Sequence, residues 1–222
     1  MKNMGLRTLW LVDPGPGLDD PAARALAYGA SDVLDGARRA ASLLEAVCAS
    51  GAVVGTSGLD VEGAWTPRRF AAEAPALAGE RALSLVFGPE ATGLSAAERA
   101  LCHKLVRIPT HPAQPSLNLA QAVLLLAYEL RLAFLAGGVP AAAEDTNARA
   151  SAGEVEQAIG ELRDGLLEIG YLDAQSPDRI LAELRGLLTR AQPTPREVLL
   201  LRGLARQVAW AGRVARGRGS TG

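Results

Sequence analysis

Over roughly the first 137 residues, short apolar runs alternate with stretches of helical period. Thr8–Val12, Ala52–Gly55, Leu83–Phe87 and Leu105–Ile108 are apolar and bounded by Gly, Pro, Asp or Ser, the pattern of buried strands; Ala30–Val33 is a weaker fifth. Helical spacing covers Pro21–Tyr28, Ala40–Ala49, Thr66–Ala74, Ser95–Leu101 and Asn118–Ala136. Ser95 and Glu98 have the spacing of a capping box, in which each side chain satisfies the other residue's free backbone N–H. The alternation predicts an α/β domain built on a mostly parallel sheet. Ahead of the first strand, Met1–Gly5 reads as the last turn of a helix with Gly5 as its C-terminal cap.

Beyond residue 137 the strands stop. Residues 138–150 are small, polar and broken by Gly and Pro, the composition of a linker. Three helices follow over residues 151–214. A second capping box (Ser151, Glu154) opens Val155–Ile169, which ends at Gly170. Ser176-Pro177 and Thr194-Pro195 supply N-cap and first-turn proline for Asp178–Arg190 and Arg196–Val214. Residues 215–222 read as a disordered tail.

Composition narrows the class. The 222 residues are 49% hydrophobic and only 4% aromatic, so the core must be mainly aliphatic. Cys48 and Cys102 are far apart and lack a CxxC partner, which points to reduced, buried thiols in a cytoplasmic protein rather than a disulfide or metal site. The start lacks a basic-then-apolar signal pattern, and the longest apolar stretch, Ala120–Ala127, is too short to span a membrane. The net charge of −1 conceals an asymmetry: from Arg185 onward eight arginines face one acid, Glu197. Such an end either holds a polyanion or is a solvated surface. On the last helix Arg202, Arg206 and Arg213 fall within about 40° of one another, a candidate stripe for RNA phosphates.

Candidate chemistry lies where strands run into loops. Val53–Gly58, Leu85–Ser95 and Ile108–Val123 each leave a buried strand with Gly, Ser, Thr or Asn, and open α/β sheets bind ligands at these C-terminal strand ends. No GxGxxG or Walker loop is present. Spacing alone is equally compatible with three ordinary turns.

The wording of two segments is more specific. "LVFGPEATGLSAAERALCHKLVRIP", followed by "SLNLAQAVLLLAYELR", resembles the second and third signature motifs of the SpoU/TrmH group of SPOUT RNA 2′-O-methyltransferases. "WLVDP", "ALAYGASDVL" and "VVGTS" resemble earlier blocks of the TrmJ branch of that group, and "VEQAIGELRDGLLEIGYLD" with "PREVLLLRGLARQVAWA" resembles its helical C-terminal domain. The resemblance implies a parallel sheet whose C-terminal part forms a deep trefoil knot, with a small all-helical domain after it. It implies bound S-adenosyl-L-methionine, with Thr56, Ser57 and Gly58 lining a first loop, Gly88 a second, and Ile108, Ser116 and Leu117 a third. Ile108 and Leu117 would sandwich the adenine. Pro115 stands where the family often has a serine, which removes a polar contact there.

The implied reaction is methyl transfer to a ribose 2′-hydroxyl of the tRNA anticodon loop, at a cytidine or uridine, by a homodimer. Such a displacement needs the hydroxyl positioned and its proton shared. Ser116 and Asn118 are candidates to orient the ribose, with helix capping the other role open to Asn118. Glu90 is a candidate to brace its loop through backbone amides or pair with a basic group. His103 reads as packing or surface, and His111 precedes Pro112 in a loop. The family's first motif, Asn–x–Gly–x3–Arg, carries an arginine held to be its main catalytic group, and none of the arginines here occupies it. The expectation is therefore a chain that starts downstream of that motif, whose own activity is open. A non-catalytic RNA- or cofactor-binding relative and a ribosomal RNA methyltransferase are the alternatives.

Overall fold

The computed structural model describes residues 1–15, 21–137, 149–173 and 177–219. The expected linker lies mostly outside the described residues, as does the expected cap Ser176. A 3₁₀ turn, Lys2–Met4, ends at Gly5, whose φ of 83° is the left-handed conformation that glycine tolerates. Then come β1 (Trp10–Val12), α1 (Pro21–Leu26), α2 (Ser31–Asp35), β2 (Arg38–Ala40), α3 (Leu43–Val47), β3 (Ala52–Thr56), α4 (Pro67–Ala78), β4 (Leu83–Val86), α5 (Ala96–Ala100), β5 (Lys104–Val106) and α6 (Leu119–Leu135). The helical part is α7 (Ala152–Glu168), α8 (Asp178–Ala191) and α9 (Pro195–Gly219).

All strand pairs are parallel, but they form two sheets rather than the one expected. β1 pairs with β2, and β3 lies between β4 and β5. Val12 packs beside Leu43, Val47 and Val53, so α3 links the sheets through a shared apolar core. Val53 and Val54 of the central strand are fully buried, and Phe70, Leu77, Val106 and Leu126 close the core beside Val54.

Three expectations need correction. Ala30–Val33 is not a strand: Ser31–Asp35 forms α2, with Asp32 in its first turn and Gly36 at its end. Ala40 does not open a helix: it ends β2, Arg38-Arg39-Ala40, an edge strand whose charged side chains are exposed and mask the strand signal, and α3 begins only at Leu43. The tail is not wholly disordered, since α9 continues to Gly219.

In the helical part, α7 and α9 pack closely through small residues. A Cβ on Gly165 would lie 2.8 Å from the Ala205 carbonyl oxygen, and one on Gly212 would lie 2.9 Å from the Glu168 backbone. Val198, Ala205 and Gly212, each seven residues after the last, form the buried seam of α9. The helical part is seated on the sheet domain just before β3. Ala152 N–H donates to the Ser50 carbonyl at 3.2 Å and Gly153 N–H to the Cys48 carbonyl at 3.1 Å. Arg81 pairs with Glu154 at 3.5 Å, and Ala152 is buried among Leu43, Val47 and Cys102.

Candidate active site

Because β4, β3 and β5 run parallel, their C-terminal ends open on one edge, and the three strand-to-loop junctions meet there. Thr56 sits between its neighbours: its hydroxyl donates to the Val86 carbonyl at 3.2 Å, and the next residue, Ser57, donates its N–H to the Val106 carbonyl at 3.0 Å. Ser57 Oγ accepts from the Leu59 N–H at 3.1 Å and turns the chain outward. Gly58 is exposed, with open space where a Cβ would stand, so its backbone is approachable from solvent.

Gly88 is glycine for a different reason. A Cβ there would lie 2.2 Å from the Gly93 carbonyl carbon and 2.3 Å from the Leu94 nitrogen, so the loop folds back directly over it. Gly93 N–H donates to the Pro89 carbonyl at 2.7 Å and closes that turn, with Gly93 at a φ of 65°.

Asn118 does two jobs. Its Oδ1 accepts from the Ala120 and Gln121 N–H groups, capping α6, while its Nδ2 donates to Glu90 Oε1 at 3.0 Å. One side chain thus ties the loop after β4 to the start of α6. Glu90 and Asn118 line a groove of about 490 Å³ with Leu119, Ala120, Val123 and Leu124. Just before it, Ser116 is exposed, Leu117 is half-buried, and the Thr110 hydroxyl holds the loop by donating to the Pro115 carbonyl at 3.0 Å. Ile108 is half-buried against the Val54 core.

His103 lies away from this edge, while His111 sits in the third loop. His103 precedes β5, at the opposite end of the sheet, where its Nδ1 accepts the Val53 N–H at 3.0 Å. Burial pushes its pKa below the ordinary 6.5. Its neighbour Cys102 is buried, and its thiol is pushed up to about 12 by desolvation and by the Glu98 charge, whereas Cys48, expected to be buried, is exposed. His111 Nδ1 accepts the Ala113 N–H within its own loop.

The arginine stripe on α9 divides. Arg202 is held by Glu161 of α7, with Nε at 2.8 Å, whereas Arg206 only approaches Glu161 at 4.0 Å. Arg213 is exposed, with no ion pair among the described residues. Arg216 pairs with Glu168, and Arg185 binds Glu156 through two hydrogen bonds. The acids of α7 therefore offset much of the charge that a count from Arg185 onward leaves unbalanced. Among the described residues no cluster of His, Cys, Asp or Glu is arranged to hold a metal ion, and no helix is long and apolar enough to cross a membrane.

A parallel α/β unit whose loops meet in a crevice at the carboxyl strand ends, followed by three packed helices, has the architecture of an α/β ligand-binding domain with a helical unit after it. The chain belongs to the SpoU rRNA methylase family, whose sequence profile matches residues 1–128; that of the TrmJ tRNA methyltransferase C-terminal domain matches residues 153–219. It is 38% identical over 210 residues to the tRNA (cytidine/uridine-2′-O-)-methyltransferase TrmJ of Cronobacter sakazakii, covering 92% of this chain and 85% of that protein. The Salmonella typhimurium TrmJ is 40% identical over 210 residues, covering 92% and 86%. Among solved structures, TrmJ from Z. mobilis superposes with a TM-score of 0.80 at 32% identity, covering 94% of this chain and 89% of that one. A probable methylase family protein from Haemophilus influenzae gives 0.57 at 29% identity, covering 96% and 89%.

Proposed function

We propose that the chain is a tRNA ribose 2′-O-methyltransferase that takes its methyl group from S-adenosyl-L-methionine and acts on cytidine or uridine in the anticodon loop. The observation that carries this reading is the Asn118–Glu90 hydrogen bond, which closes the second and third loops around one crevice in a chain so similar to TrmJ enzymes. The residues present suit the cofactor. Half-buried Ile108 and Leu117 offer apolar surface for the faces of an adenine, Gly58 leaves its main chain open to the adenine's edge and the ribose, and Gly88 lets the second loop fold tightly beside them. When bound, the cofactor supplies an electrophilic methyl on a sulfonium. The chain's own residues then position the nucleophile: Ser116 orients the ribose hydroxyl, and Asn118 holds Glu90 so that its carboxylate braces the loop. In this reading strands β3–β5 with α6 form the family's trefoil knot.

The proposed domains are a methyltransferase domain over 1–137 and a helical tRNA-binding domain over 151–214, in which Arg206 and Arg213 are the main phosphate contacts of the stripe and Arg202 the lesser. The protein acts in the cytoplasm as a homodimer through α6.

Calorimetric titration of S-adenosyl-L-methionine, together with labelled methyl transfer to unmodified tRNA, tests the reading. Transfer is measured with this chain and with a form preceded by the Asn–x–Gly–x3–Arg segment. Cofactor binding is expected for the wild type, with at least a tenfold loss in Leu117→Glu at unchanged melting temperature, and label is expected in pyrimidine 2′-O-methyl nucleosides. Equal cofactor affinity in Leu117→Glu would remove the site assignment, and label in ribosomal RNA but not tRNA would reassign the substrate.

A further inference from the structure

The outer face of α9 carries an aromatic side chain that neither packing nor the phosphate stripe uses. Trp210 is 58% exposed near the end of the helical part. Arg206 lies four residues before it and Arg213 three after, so the three fall within about 60° of arc on one face. These two arginines are also the ones that α7 leaves available. Glu161 and Glu168 hold Arg202 and Arg216, while Arg206 is 63% exposed with only a loose contact at 4.0 Å. Arg213 is exposed beside them. An indole between two available guanidiniums, spaced roughly 10 Å apart along the helix axis, is a different surface from the apolar groove between α8 and α9. That groove, lined by Leu188, Pro193, Leu200 and Leu204, carries an acid, Glu197, and no cation.

We propose that Trp210, Arg206 and Arg213 form a stacking platform for one unpaired nucleotide of the tRNA, its base lying on the indole and its flanking phosphates met by the two guanidiniums. The proposal rests on the reading that the helical domain holds tRNA, and adds to it what kind of nucleotide this face takes. Charge complementarity selects the occupant. An RNA strand offers a π-face and phosphates at once, and it leaves both cations paired. Paired bases cannot reach the indole, so a duplex of the same length is a poor occupant.

The test compares wild type, Trp210→Leu, Trp210→Phe and the double variant Arg206→Gln/Arg213→Gln in binding to unmodified tRNA over a range of salt concentrations. Tryptophan emission is followed in the same titrations. Trp210 is exposed, so its replacement removes little packing, and equal melting temperatures check this. Trp210→Leu is expected to weaken tRNA binding roughly ten- to a hundredfold with the salt slope unchanged. Trp210→Phe keeps most of the affinity but loses the quench seen in wild type. The arginine pair lowers the salt slope by about two. Single-stranded oligouridylate competes for the quench, and duplex RNA of the same length does not.

Wild-type affinity in Trp210→Leu, or an equal quench by duplex RNA, overturns the platform while leaving the tRNA reading intact. Failure of the wild type to bind tRNA overturns both. A fall in molecular mass of the RNA-free protein on Trp210→Leu assigns the face to a contact between copies and also overturns the platform.

Discussion

His103 shows how a side chain with catalytic potential is taken out of catalysis by its surroundings. Its Nδ1 accepts the Val53 N–H at the end of the sheet away from the crevice, so the neutral ring carries its proton on Nε2. Protonating Nδ1 would turn that acceptor into a donor facing another donor, in a buried setting near Arg149 and Lys104. The folded pKa is depressed, chiefly by desolvation, so the unfolded chain takes up a proton first as the pH falls below about 6.5. The contribution of His103 is therefore fully present above that pH and is lost as the pH drops toward the folded pKa. Urea midpoints measured between pH 7 and 5 should decline in the wild type, and His103→Asn should flatten that decline. Glu154 of the second capping box acts in a lower window: held down by the Ser151 N–H, it contributes above its ordinary 4.5 and loses that contribution in more acid solution. A decline unchanged in His103→Asn would assign the effect to other groups.

Elements differ in how openly the sequence announces them. β3, β4 and β5 were readable because each is an apolar run between turn residues, and α5, α6 and α7 because Ser95, Asn118 and Ser151 cap them in the structure as expected. β2 was not readable: an edge strand of three residues, two of them exposed arginines and only Ala40 buried, is too short to show an alternation. In the site, the cap role of Asn118 was legible but its bond to Glu90 was not, because 28 residues of chain separate the partners. The pairing of Arg202 and Arg216 was hidden in the same way, their acids lying on α7, whereas the Arg206–Trp210–Arg213 spacing was visible in the chain and needed only exposure to give it meaning. The α7–α9 seam supplies a test at this scale. Gly212→Val would push Cγ atoms into the Glu168 main chain and should destabilise the fold by about 1–3 kcal/mol. Thermal unfolding monitored at Trp210 would register it; an unchanged midpoint would mean that the helices can part there without loss.

At the scale of the molecule, α6 stands out as a helix that its own chain covers only in part. Leu126 and Ala127 are buried, but Leu124, Leu125, Tyr128, Leu132 and Leu135 are exposed, and they share an arc of about 100°. An apolar stripe of that length calls for a cover, and a second copy is the proposed one. Sedimentation should give twice the 23.1 kDa chain mass for the wild type and the single-chain mass for Leu125→Glu/Leu132→Glu. A monomeric wild type would refute the dimer outright.

The seat of the helical part carries a consequence for reach. It grips the chain at Cys48 and Ser50, before β3 begins, whereas the crevice opens after Thr56, where β3 ends. Five residues of extended strand, roughly 17 Å of protein, lie between the two ends. In the proposed reading, the part that holds the RNA is thus moored at the opposite shore from the crevice that methylates it. On that reading an RNA that meets both must bridge the molecule or extend to a neighbouring copy, and the folded outline of the whole RNA becomes part of what is recognised.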